Sequence, residues 1–173
     1  MFSLLENTKI VPVMRPIDKT GAAFTTEWIS MKNAEKATFL INLGVMTSTS
    51  SQAVTLKVAR DASGTDAKAI TSASAACSLK LEKYWKTSTG DTLAQTSVSS
   101  STFNLTSASD AKHIVIEVEA AKMGTFVASS TTYQAEYLAL SVATPGAHAC
   151  LASVDCFLTG LRYQKDVPPT AIT

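Results

Sequence analysis

Apolar residues in this chain recur with a period of two, and that alternation restricts the fold more than any other feature. In "AVTLKVAR" it sets Val54, Leu56 and Val58 on one side and Thr55, Lys57 and Ala59 on the other. "SLKLEKYWK" sets Leu79, Leu81, Lys83 and Trp85 opposite Lys80, Glu82, Tyr84 and Lys86. "HIVIEVEA" sets Ile114, Ile116 and Val118 opposite Val115, Glu117 and Glu119. Successive side chains of an extended chain point to opposite faces, so these segments read as half-buried strands. "KATFLINLGV" and "YLALSVAT" are apolar almost throughout and read as central strands of a packed sheet.

Further strands are expected at Ile10 to Met14, Phe24 to Met31, Thr102 to Leu105 and Ala149 to Leu158. Between the strands lie turn-rich pieces: "NAEK", "MTSTSSQ", "RDASGTDAK", "TSTGDTLAQTSVSSS", "TSASDAK" and "ATPGAH". About a quarter of the residues are Ser or Thr, which favour strands and loops over helix interiors. "DAKAITSASAACSL" is the one segment with a helical reading, and its Ser and Thr residues weaken it. About eight strands with short polar connections imply an all-β fold, an antiparallel β-sandwich of jelly-roll-like or Ig-like type.

At 173 residues the chain suits one domain with a sizeable core. The expected organisation is an N-terminal arm over residues 1–10, a sandwich domain over 11–165 and an extended tail over 166–173. The tail contains Pro168 and Pro169, which exclude a helix there. In an assembly such arms often lie across a neighbour. Phe2, Leu4, Leu5, Val167, Pro168 and Pro169 are therefore candidate contact residues.

Lys plus Arg total 15 against 14 for Asp plus Glu, so the chain lacks the basic excess of a protein that grips nucleic acid or an anionic membrane. No run approaches the roughly 20 apolar residues of a membrane helix. "MFSLLENTKI" lacks the basic start and sustained apolar stretch of a signal peptide. Cys77, Cys150 and Cys156 make an odd set, read as reduced, buried thiols. Cys150 and Cys156 in one strand would lie about 20 Å apart, too far for a bridge.

Several fragments invite a chemical reading. Asp18-Lys19-Thr20-Gly21 spells the phosphorylation signature of P-type ion pumps, and Thr89-Gly90-Asp91 resembles a second pump fragment. No alternating strand-and-helix pattern or glycine-rich phosphate loop surrounds either. Pro16, Asp18 and Gly21 read instead as a turn that delivers the chain into a strand at Phe24. His148, Cys150, Asp155 and Cys156 are a loose cluster of ligand types without metal-site spacing, so neither metal nor cofactor is expected. A hydrolase triad would have to use His113 or His148, and no nucleophile elbow is present. Glu117 and Glu119 share an outward face and read as solvated surface. Trp28 and Trp85 read as core anchors, and Tyr84, on the opposite face from Trp85, as an interface candidate. The expectation is a chain without enzymatic activity.

The segment "RPIDKTGAAFTTEWISMKNAEKATFLINLGV", Arg15 to Val45, resembles small virion proteins of tailed bacteriophages. Those proteins often carry a Pro-x-Asp-x-x-Gly-Ala segment, then a Met-Lys-Asn turn and an apolar strand. "VTLKVARDASGTDAKAI" (Val54 to Ile70) and "ALSVATPGAHACLASVDCFLTGLRYQ" (Ala139 to Gln164) continue the resemblance, and Lys86 to Asp110 falls outside it. The resemblance implies a decoration or cement protein on the capsid surface, assembled in the host cytoplasm. Its partners would be the major capsid protein or other virion proteins, and its own state a trimer or dimer. A tail, adaptor or fibre-base component and a carbohydrate-binding β-sandwich module are the alternatives.

Overall fold

The computed structural model describes residues 7–18, 22–46, 52–70, 83–87, 92–97, 102–105, 113–143 and 150–162. In chain order the strands are β1 (Thr8–Asp18), β2 (Phe24–Thr25), β3 (Ile29–Ser30), β4 (Lys36–Met46) and β5 (Gln52–Ala59). Then come β6 (Lys68–Ala69), β7 (Lys83–Thr87), β8 (Leu93–Ser97), β9 (Thr102–Leu105) and β10 (His113–Glu119). A single 3-10 turn (Ala120–Lys122) precedes β11 (Thr125–Ala128), β12 (Thr131–Gln134), β13 (Tyr137–Val142) and β14 (Cys150–Thr159). The fold is an all-β sandwich of antiparallel sheets.

The first sheet runs β1-β14-β4-β10-β7-β8. Its register lines up the apolar alternates of neighbouring strands: Ile114 with Ile41 and Val154, Ile116 with Phe39 and Cys156, Val118 with Ala37 and Leu158. All nine are buried and join one core cluster. The second sheet is built on β13 and β5, which pair from Tyr137↔Ala59 to Val142↔Val54. Their inward residues Val54, Leu56, Val58, Leu138 and Leu140 are 0–1% exposed. Removing such side chains from water contributes about 2 kcal/mol each, so the alternation itself directs the two sheets to face one another. Glycine and proline are nearly missing from these strands, as central strands require.

The flanks of the second sheet are made of fragments. β2 and β3 share one edge of β13, while β6 and β9 share the free edge of β5. The single strand expected over Phe24 to Met31 is thus two short ones, and Thr26 explains the break. Its N–H donates to the Leu140 carbonyl at 2.9 Å, and its hydroxyl Oγ1 accepts the Leu140 N–H at 3.0 Å. The side chain stands in for the backbone carbonyl that a continuous strand would have offered. Glu27 and Trp28 then leave the sheet, and the Glu27 N–H donates to the Val13 carbonyl of β1 at 3.2 Å.

Trp28 is half-buried rather than a core anchor, and its indole lies against Gly64 of the loop between β5 and β6. Asp61 organises that loop: its Oδ1 accepts the N–H groups of Ser63 and Thr65 at 3.1 and 3.0 Å. The bonds from Thr65 are the main reason its carboxyl pKa lies below the ordinary carboxylate value. Arg60 pairs with Asp61 and Asp66 and also covers the Tyr133 ring, 4.8 Å from its centroid.

Other expectations shift as well. β1 begins at Thr8, paired with Thr159, so Thr8 to Ile10 belong to the sheet rather than to an arm. Asp18 is the last residue of β1, opposite Leu151, and not a turn residue; Lys19 to Gly21 lie outside the described residues. β8 occupies part of the Ser/Thr-rich span expected as loop. Within "DAKAITSASAACSL", Lys68–Ala69 form β6 and the Ile70 N–H donates to the Leu56 carbonyl at 2.8 Å, while residues 71–79 lie outside the described residues. Residues 1–6 and 163–173 lie outside the described residues.

The β11–β12 hairpin had no sequence expectation. It packs Phe126 and Ala128 into the core and stacks Phe126 against Tyr133, its cross-strand partner, with centroids 5.8 Å apart. Its two-residue turn is Ser129-Ser130, with φ of 48° and 65°. Positive φ at both positions is the type I′ pattern, in which Asn-Gly is favoured and serine is strained. The double substitution Ser129→Asn and Ser130→Gly should therefore raise stability by about 1 kcal/mol, read as a higher urea midpoint at unchanged slope. A lower midpoint would show that the serine side chains are needed at the turn.

Candidate interaction face

Residues of the first sheet that do not enter the core form its outward face. The register aligns Ile10, Phe157, Thr38 and Glu117 in one row across β1, β14, β4 and β10. Pro12, Asp155, Leu40 and Val115 form the next, which continues through Trp85 of β7 to Gln95 of β8. Ile10 is 41% exposed, Pro12 is exposed, and Phe157, Leu40 and Val115 are half-buried. These five form an apolar group on the outward face, with the Asp155 carboxylate set among them between Pro12 and Leu40.

The flanks of that group are polar in two different ways. On one side Lys36 sits opposite Glu119 and forms an ion pair with Glu117. Glu117 and Glu119 are thus surface carboxylates paired with lysines, Glu117 with Lys36 and Glu119 with Lys122 at 3.0 Å. On the other side Ser153, Asn42 and His113 form a ladder across β14, β4 and β10. Asn42 Nδ2 donates to Ser153 Oγ at 3.4 Å, and its Oδ1 lies 2.8 Å from His113 Nδ1, which donates to it. The Asn42 amide therefore stands between the hydroxyl and the imidazole. This ladder cross-links three strands and is not a serine–histidine pair.

Tyr84 lies on β7, opposite Thr96. β7 in turn pairs with β10 through Val115↔Trp85 and Ile114↔Lys86. Phe2, Leu4, Leu5, Val167, Pro168 and Pro169 lie outside the described residues. Among the ligand types of the loose cluster, Asp155 points outward and Cys156 is fully buried, so these neighbours cannot share an ion. Burial pushes the Cys156 thiol pKa far up and keeps it protonated.

A cleft of about 680 Å³ opens between the segment after β3, the 3-10 turn and the link from β12 to β13. Lys32 and Glu136 bridge its wall at 2.9 Å, with the ammonium 5.9 Å from the Tyr137 ring centroid. The hydrogen bond and charge of Glu136 raise the Lys32 pKa. Lys32 and Glu136 neutralise one another, and their side chains are 53% and 32% exposed. An exposed pair of this kind contributes little to stability. The outward face, with an apolar group and polar flanks, has the composition of a contact surface.

No family model matches this chain, and no curated protein does. Among solved structures the chain is similar to one titled "Structure of infectious bursal disease virus Gt strain", with 7% sequence identity and a TM-score of 0.22. The match covers 88% of this chain and 40% of that one. A likeness at that level carries no inference about fold or function.

Proposed function

We propose that the chain is a non-enzymatic structural protein of a tailed-bacteriophage virion, which decorates or cements the capsid through repeated protein–protein contacts. The observation that carries the reading is the cluster of Ile10, Pro12, Phe157, Leu40 and Val115 on the outward face, around Asp155 and between two polar flanks. The resemblance of Arg15 to Val45 to small virion proteins supplies the class of partner: the major capsid protein or its neighbours on the head surface. A cement protein needs many modest contacts repeated by symmetry, because linked copies engage together and small energies multiply. The homo-oligomer, a trimer or dimer, would provide that linkage. Tyr133 is held between Phe126 and Arg60, which speaks against the glycan-binding alternative at that residue.

Association with particles tests the proposal. The chain should co-sediment with empty heads of the phage that encodes it, and label should cover the capsid lattice in electron micrographs. Ile10→Glu, at an exposed position, should weaken that association about tenfold while the circular-dichroism spectrum stays unchanged. Label at a single vertex would replace decoration with a tail or adaptor role. Full binding by the variant would remove the outward face from the mechanism.

A further inference from the structure

The two edges of the first sheet are built in opposite ways. At one edge, β1 carries Pro12 and Pro16, two register irregularities, Lys9 and Arg15, and its Val13 carbonyl already accepts the Glu27 N–H. Prolines, bulges and charges are the standard devices by which a sheet refuses an additional strand. At the other edge lies β8, "LAQTS", which carries no charge and no proline. Among the described residues no strand pairs with its outer side, and Leu93–Ser97 make no backbone hydrogen bond beyond the ladder to β7. Leu93, Gln95 and Ser97 are exposed, Leu93 at 46%. The remaining edge fragments, in the second sheet and the hairpin, are four residues long or shorter. β8 is thus the one long unguarded edge among the described residues.

We infer that the free edge of β8 pairs with the same edge of a second copy of this chain, antiparallel about a two-fold axis through Gln95. Such pairing sets Gln95 against Gln95, Ala94 against Thr96 and Leu93 against Ser97. A two-fold axis brings like against like, so any charged residue near it would meet its own charge. The neutrality of all five residues is what this arrangement demands. Both β8 strands are already held extended by β7, so pairing orders little new chain, whereas a flexible peptide would lose more entropy on binding. The dimer would run the first sheet of one copy into that of the next and set two outward faces side by side. The inference does not rest on the virion reading.

A charge-swap pair tests it. The chain should sediment as a dimer at micromolar concentration. Gln95→Lys and Gln95→Glu, at an exposed site, should each raise the dissociation constant, and an equimolar mixture of the two should recover a heterodimer. The like-charged and oppositely charged pairings should differ at least tenfold in affinity, a difference that 0.5 M salt reduces. As a check independent of charge, Gln95→Cys should form an intermolecular disulfide under mild oxidation, because directly opposed residues have the required spacing. A chain that stays monomeric at 100 μM, or a dimer unaffected by either charge and not cross-linked through position 95, overturns the inference. A β8 dimer that ignores phage heads would overturn the virion proposal alone; a head-binding monomer would overturn this inference and the oligomeric linkage, but not the association with the capsid.

Discussion

Gly64→Ala is expected to lower the stability of the fold by about 2–4 kcal/mol. Two independent costs add. Gly64 has φ of +72°, a left-handed conformation that costs an L-residue about 1 kcal/mol. A β-carbon there would also lie 2.5 Å from Cε2 and 2.7 Å from Cζ2 of the Trp28 indole, well inside contact distance. Neither neighbour can retreat cheaply. Asp61 pins the loop through the N–H groups of Ser63 and Thr65, and Trp28 is tethered between Thr26 and Ile29, both bonded or packed into the second sheet. Thermal unfolding should show a drop of roughly 5–15 °C for a chain of this size. A double-mutant cycle separates the terms: with Trp28→Ala present, Gly64→Ala should cost only the backbone part, about 1 kcal/mol. If the cost is the same in both backgrounds, the indole contact contributes nothing.

Thr26→Val should cost about 1–3 kcal/mol although it keeps the size and shape of the side chain. Thr26 is 4% exposed, and Leu140, whose N–H it accepts, is fully buried. Valine fills the space but leaves that N–H without an acceptor where water does not reach. Thr26→Ser keeps the hydroxyl and loses one methyl group, so it should cost less than about 1 kcal/mol. The order of urea midpoints, native, then serine, then valine, is the diagnostic result. Serine below valine would mean that packing, not the hydrogen bond, holds this position.

These two sites show why the sequence revealed the long strands and not their interruptions. β5 and β10 are written in alternation, because Val54, Leu56 and Val58, or Ile114, Ile116 and Val118, must share a face for the core to form. Thr26 looks like any strand threonine. Only a neighbour more than a hundred residues away, Leu140, makes it a substitute for the backbone. Trp28 has the composition of a core residue, yet its partner is a glycine, which no apolar pattern reveals. β8 was hidden in a Ser/Thr run, since "LAQTS" has too few apolar residues to alternate. The hairpin turn lacked its usual signal, because Ser129-Ser130 adopts a conformation that Asn-Gly normally announces.

The outward face was legible only in part. Glu117 and Glu119 were recognisable as surface from their own strand, whereas the apolar group depends on how four strands line up. Register is a tertiary quantity, and a one-residue difference moves every side chain to the other side.

The strand order of the first sheet also governs how the molecule comes into being. β14 lies between β1 and β4, so neither of those early strands has its full set of neighbours until nearly the whole described chain has been synthesised. On the ribosome, β1 must wait unpaired while some of the most distant contacts in the topology are still missing, the situation in which nascent chains aggregate. Pro12, Pro16 and the lysine and arginine around them would guard that strand in the interval, keeping it from a wrong partner until Thr159 arrives opposite Thr8.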